Sequence, residues 1–200
     1  SLCPPHFSLN VTLNRHHEIT GVFAGDLEKA HQKGIEFVRE TAMQAVSEPY
    51  DIVITTNSGY PLDQKLNQTV KGLSAAAQIV KDGGVIIAAA ECSDGYPSHG
   101  NYREMLTESE SMACFLAHMR EERFNITDRW QVQVQAMAHQ KAEVYLYTCG
   151  LTDAEVEGAH MRPVHDIAKL VKELVAKKGP DTRICVLPEG PQTIPYVEGE

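Results

Sequence analysis

Two apolar runs and the helix pattern between them restrict this chain more than any other feature. Asp51–Thr56 (DIVITT) and Val85–Ala90 (VIIAAA) are continuous apolar segments. A strand with one wet face alternates, whereas an unbroken run needs cover on both sides. Between the runs, Leu66, Val70, Leu73, Ala77 and Val80 recur at spacings of four and three. That spacing draws a single buried stripe along a helix. Strand, helix and strand in this order predict a parallel crossover unit. The turn Asn57-Ser58-Gly59-Tyr60-Pro61 leaves the first strand, Asp63 is placed to cap the helix, and Gly83-Gly84 to end it.

The rest of the chain extends the unit. Val144–Cys149 and Arg183–Leu187 read as further strands, with helices expected over Asn101–Glu108, Ser111–Glu122, Asp128–Gln140 and His165–Lys177. The fold class that follows is α/β: a mostly parallel, Rossmann-like sheet with helices on both faces. Ahead of it, FSLNVTL (Phe7–Leu13) and EITGVFA (Glu18–Ala24) read as a β-hairpin, followed by a helix that Asp26 caps. The break near Met43–Pro49 divides the chain into residues 1–46 and 47–200. In a parallel sheet, ligands gather beyond the carboxyl ends of the strands. This selects four loops: Thr55–Asp63, Ala90–Asn101, Cys149–Asp153 and Pro188–Gln192.

Composition removes several function classes. Lys plus Arg is 18 against 27 for Asp plus Glu, a net charge of -9, which disfavours a nucleic-acid partner. No apolar run approaches the roughly 20 residues that span a bilayer, so no membrane partner is expected and the default compartment is the cytoplasm. The five cysteines, Cys3, Cys92, Cys114, Cys149 and Cys185, form no CxxC pair and read as buried, reduced thiols.

Chemistry concentrates in the first loop and its helix, TTNSGYPLDQKLNQTVKG. With Leu66 at the centre of the buried stripe and about 100° per residue, Asn67, Gln68 and Lys71 fall on the opposite side. Gln68 and Lys71, three apart, are neighbours on that surface. An ammonium, an amide and the helix N-terminus together suit a carboxylate. Ser58, Gly59 and Tyr60 stand at the strand tip beside them.

The stretch DIVITTNSGYPLDQKLNQTVKGLSAAAQIVKDGGVII resembles the start of the C-terminal domain in the nickel-dependent lactate racemase family. FSLNVTLNRHHEITGVFAGDLEKAH, DRWQVQVQA and RICVLPEG extend the likeness over nearly the whole chain. The resemblance implies a two-domain 2-hydroxyacid racemase or epimerase whose active site lies between the domains. Its N-terminal domain would hold a nickel-pincer nucleotide and supply the cofactor lysine and the catalytic histidines. A histidine there would take the hydroxyl proton while the α-hydride moves to the cofactor and returns on the other face. The C-terminal domain would close the cleft, Lys71 binding the substrate carboxylate or polarising the hydroxyl, Gln68 orienting the substrate, and Trp130 walling the pocket. Lactate-specific members carry Tyr where this chain has Asn67, which implies room for a larger or more polar 2-hydroxy acid.

This sequence has no match to the family's cofactor-lysine or catalytic-histidine motifs. Residues 1–46 therefore read as the end of the N-terminal domain and its hinge, and 47–200 as the lid. The chain alone is expected to be inactive, with its own N-terminal domain as partner, a small 2-hydroxy acid as substrate and no metal ligands of its own. Other residues carry simpler readings. His160 and His165 are five apart across Pro163, which is not the spacing of a metal pair on one helix face. His16, His17, His31 and His99 read as exposed, and Cys92 as a small buried side chain. Ser58 lies in N-S-G, not the G-x-S-x-G of a hydrolase elbow, and no G-x-G-x-x-G is present. The rival readings are a non-catalytic module that binds small carboxylates, and an assembly domain with Gln68 and Lys71 buried against another subunit.

Overall fold

A computed structural model describes residues 5–14 and 16–199. Cys3 lies outside the described residues. The chain divides into two compact units, Ser1–Gln44 and Ala45–Glu200. In the first, β1 (Ser8–Leu13) and β2 (Ile19–Gly25) form an antiparallel hairpin with Val11 opposite Val22. Helix α1 (Leu27–Thr41) follows, and the Asp26 carboxylate accepts the Lys29 N–H at 3.1 Å, the expected cap. Phe23 of β2 meets Phe37 of α1 with ring centroids 5.7 Å apart, the anchor of this small layer.

The second unit is the parallel sheet. Its strands are β4 (Tyr50–Thr56), β5 (Val80–Ala89), β6 (Ala142–Tyr147), β7 (Arg162–Pro163) and β8 (Ile184–Leu187), in the order β7-β6-β5-β4-β8. Helices cover both faces, as the unbroken apolar runs require. On one face, α2 (Leu66–Ile79), α3 (Tyr102–Glu108), α4 (Met112–His118) and α5 (Arg129–Lys141) bury Val53, Leu73, Ile86, Phe115 and Val132 in the larger core. On the other, α7 (Ile167–Lys178) lays Ile167, Leu170, Val171 and Leu174 over Ile52, Val85 and Ile87. At the amino edge, the Asp51 carboxylate accepts the Arg183 N–H at 2.9 Å and pairs with Lys81 at 3.0 Å. Those two contacts, the backbone one first, hold its carboxyl below the usual range and tie β4 to its two neighbours.

Two expectations are corrected. Asp63 does not cap α2. The helix begins at Leu66, whose N–H is taken by the Gly95 carbonyl at 3.0 Å, while the Asp63 carboxylate accepts the Glu91 N–H at 3.1 Å. Gly83-Gly84 do not end α2 either. The helix stops at Ile79, and Val80–Gly84 form an irregular start to β5, with Gly83 at φ +72°. The β-branched pair Ile79-Val80 favours extended backbone, and Val80 is buried there. Several short elements had no periodicity to announce them: β3 (Met43–Val46), α6 (Asp153–Gly158), β7 and β9 (Ile194–Val197).

Two glycines let α2 reach the tip of β4. A Cβ on Gly72 would lie 2.5 Å from the Thr56 carbonyl oxygen. One on Gly190 would lie 2.7 Å from that same oxygen and 3.2 Å from the Gly72 Cα. The Thr55 hydroxyl donates to the Gly72 carbonyl at 3.3 Å across this contact. Gly72→Ala should therefore cost about 1–3 kcal/mol by overpacking, read as a lower denaturation midpoint at unchanged slope. An unchanged midpoint would show that the contact has slack.

His139 of α5 adds a pH dependence. Burial, then the nearby His160, pushes its pKa down to about 4 from 6.5. Its Nε2 is buried with no hydrogen-bond partner among the described residues. The neutral imidazole is favoured in the folded chain, so its contribution is complete above pH 6.5 and declines as pH falls towards about 4. The loss on that limb should be roughly 2–3 kcal/mol, and His139→Gln should flatten it in denaturant titrations at several pH values. Parallel acid limbs in the two proteins would contradict this.

Candidate active site

The loops leaving β4, β5, β6 and β8 meet at the carboxyl edge of the sheet, and the four loops that topology selects all contribute there. They enclose a pocket of about 410 Å³ lined by Thr56, Ser58, Gly59, Asp63, Glu91, Cys149 and Pro188, among others. The Thr56 hydroxyl donates to the Pro188 carbonyl at 2.6 Å and accepts the Ser58 N–H at 3.0 Å, which fastens the loops after β4 and β8 together. Ser58 and Gly59 both take positive φ, +65° and +70°. That geometry is unstrained at Gly59 and paid for locally at Ser58 by the Thr56 bond.

A second depression runs along the outer face of α2. This groove, of about 430 Å³, has Lys71, Ser74, Ala75 and Gln78 along its length. Trp130 and Val134 of α5 form one wall, and Pro191, Ile194 and Pro195 the other. Lys71 is exposed, and among the described residues its ammonium has no ion pair or hydrogen bond. Trp130 is 57% exposed.

Electrostatics separates the two depressions. The strand-tip pocket carries two carboxylates, Asp63 and Glu91, and no cationic side chain. Its Asp63 Oδ1 is buried without a hydrogen-bond partner among the described residues. In the groove, Lys71 is the one charged residue of the lining. A small anion is repelled by the first and attracted by the second. The groove is thus the better place for a carboxylate.

The residues expected to form one site are accordingly divided. Lys71 and Trp130 share the groove. Gln68, partly buried one turn earlier on α2, lines neither depression, and its side chain has no hydrogen bond among the described residues. Ser58 and Gly59 line the strand-tip pocket instead, and Tyr60, 78% exposed, lines neither. Asn67 is a correction: it is only 8% exposed and donates to Gln131 Oε1 of α5 at 3.1 Å. The stripe facing the core is broad enough to take it in, because α5 packs beside α2 as well as the sheet below. Sequence reasoning stopped at the first turns of α2 and so missed Ser74, Ala75 and Gln78. Their spacing of three, four and seven from Lys71 was a usable signal. Pro191, Ile194 and Pro195 gave none, since only the chain's return beside α2 brings them there.

The remaining candidates are simpler. Cys92 is fully buried, and burial pushes its thiol up, which suits a packed side chain and not a nucleophile, whereas Cys114 and Cys185 are only partly buried and Cys149 is exposed, contrary to the expectation of buried thiols throughout. His160 donates from Nε2 to the Leu106 carbonyl at 2.9 Å, and His165 meets Asp153 at 3.2 Å on the surface. Among the described residues, no group of three or more His, Cys, Asp or Glu could hold a metal ion. No described helix is long and apolar enough to cross a membrane.

Residues 45–194 match the family model described as the lactate racemase C-terminal domain. The chain belongs to the lactate racemase family. It is 40% identical over 191 residues to the lactate racemase of Thermoanaerobacterium thermosaccharolyticum, covering 94% of this chain and 44% of that protein. It is 33% identical over 187 residues to the lactate racemase of Lactiplantibacillus plantarum, covering 92% and 43%. Among solved structures it is similar to the lactate racemase apoprotein of T. thermosaccharolyticum, with a TM-score of 0.85, 37% identity, and coverage of 96% and 46%. The chain thus spans less than half the length of the curated relatives it matches.

In this lactate racemase-family domain, the Asn67–Gln131 bond fixes α5 against α2 and with it the spacing of Trp130 from Lys71. Asn67→Ala and Gln131→Ala should each cost about 1–2 kcal/mol, and the double variant less than their sum. Full additivity in denaturation would mean that the two side chains act separately.

Proposed function

We propose that this chain is the substrate-holding C-terminal part of a 2-hydroxyacid racemase or epimerase. The observation that carries the reading is the Lys71 ammonium, unpaired among the described residues, in a groove where no other described charged residue lines the wall and Trp130 stands beside it. Family membership supplies the reaction class.

On this reading Lys71 holds the substrate carboxylate by a charge-assisted bond. Gln68, one turn earlier on the same helix, orients the substrate with its amide. Trp130 and Val134 shield the reacting end from water, which strengthens the Lys71 interaction. Among the described residues, no group of three or more His, Cys, Asp or Glu is gathered that could hold nickel. The family resemblance implies a nickel-pincer nucleotide, which on this reading would be held by the preceding half of the protein and would supply hydride chemistry there. The acid/base residues belong to that half as well. Residues 1–46 are read as its last hairpin and helix, and 47–200 as the lid.

Two outcomes follow. In the full-length, cofactor-loaded protein, Lys71→Ala should lower kcat/KM for a 2-hydroxy acid by at least about a hundredfold, equivalent to about 2.7 kcal/mol. Because Lys71 is exposed, its thermal unfolding should stay within about 0.5 kcal/mol of the parent. Wild-type turnover by the variant, in a chiral assay, would remove Lys71 from the site. The 200-residue chain alone should not interconvert the enantiomers; activity from it would contradict the division of labour.

A further inference from the structure

Beyond Lys71 the proposed carboxylate site continues as an open groove. The groove around Lys71 measures about 430 Å³, room for roughly a dozen waters. The surface beyond the lysine is mainly hydrocarbon, from Ala75, Val134, Ile194 and Pro195. No second cation stands there to receive another carboxylate, and the acidic side chains of the carboxyl edge line the other depression.

We infer that the groove selects 2-hydroxy acids with an apolar side chain, aliphatic and branched, and disfavours dicarboxylic ones. The inference rests on the racemase reading above and names the substrate class of the same site. Lys71 fixes the carboxylate at one end, and the side chain lies along Val134 and Ile194 and displaces their water. Burial of a methylene is worth about fourfold in binding. Lactate and 2-hydroxy-4-methylpentanoate share the reacting groups and differ in this portion alone.

The test measures kcat/KM in the full-length, cofactor-loaded protein for lactate, 2-hydroxybutanoate, 2-hydroxy-4-methylpentanoate and malate. In parallel, the same sodium salts are titrated into the 200-residue chain while its fluorescence is followed. Trp130 is its one tryptophan, so the signal reports on the groove alone. The expected result is a rise along the aliphatic series, with 2-hydroxy-4-methylpentanoate about 10- to 60-fold above lactate, and malate below lactate. Trp130 should respond to the branched acid at the lowest concentration. Val134→Asn should narrow the ratio of branched acid to lactate at least about threefold. Lactate equal to or better than the branched acid, or malate the best substrate, would overturn the inference. If Lys71→Ala still abolishes turnover, that failure leaves the racemase reading standing. If Lys71→Ala changes nothing and no acid perturbs Trp130, both fall together.

Discussion

The arrangement depends on one close approach of backbone to backbone. Gly72 of α2 and Gly190 both pack on the last residues of β4, against the Thr56 carbonyl, where no Cβ fits. This lets the helix lie low over the strand tip while the 190–195 segment runs beside it. The groove is lined by α5 on one side of the helix and by that segment on the other. Lys71, immediately before Gly72 on the same helix, is an exposed residue of that lining.

Charge then assigns the chemistry. Two depressions of similar size lie on one domain, and volume does not distinguish them. Asp63 and Glu91 make one hostile to an acid, and Lys71 makes the other receptive. The family relation alone would not make this distinction, since the matched segment supplies the lining of both depressions apart from Pro195. The chain covers less than half of its relatives, and on the proposed reading it contributes binding and shielding while the proton and hydride steps belong to the other half.

The sheet was legible in the sequence because unbroken apolar runs demand cover on both faces, and the helix stripe between Leu66 and Ala77 supplies one side of it. Helix ends were read less well. Asp63 has the right chemistry for a cap but is drawn away by the Glu91 N–H, a partner 28 residues on that no local pattern reveals. Within the site, helical spacing placed Lys71 on the open face correctly and Asn67 wrongly. A single stripe centred on Leu66 assumes one neighbour, whereas α2 packs against both the sheet and α5. The far wall, Pro191 to Pro195, was illegible because it depends on where the chain returns.

The central claim is that the Lys71 ammonium receives the substrate carboxylate. The most direct test is a crystal structure of the full-length protein with a 2-hydroxy acid bound. A carboxylate oxygen within about 4 Å of Lys71 Nζ is predicted. A carboxylate seated instead in the strand-tip pocket among Ser58, Gly59 and Asp63, with Lys71 in solvent, would contradict the account.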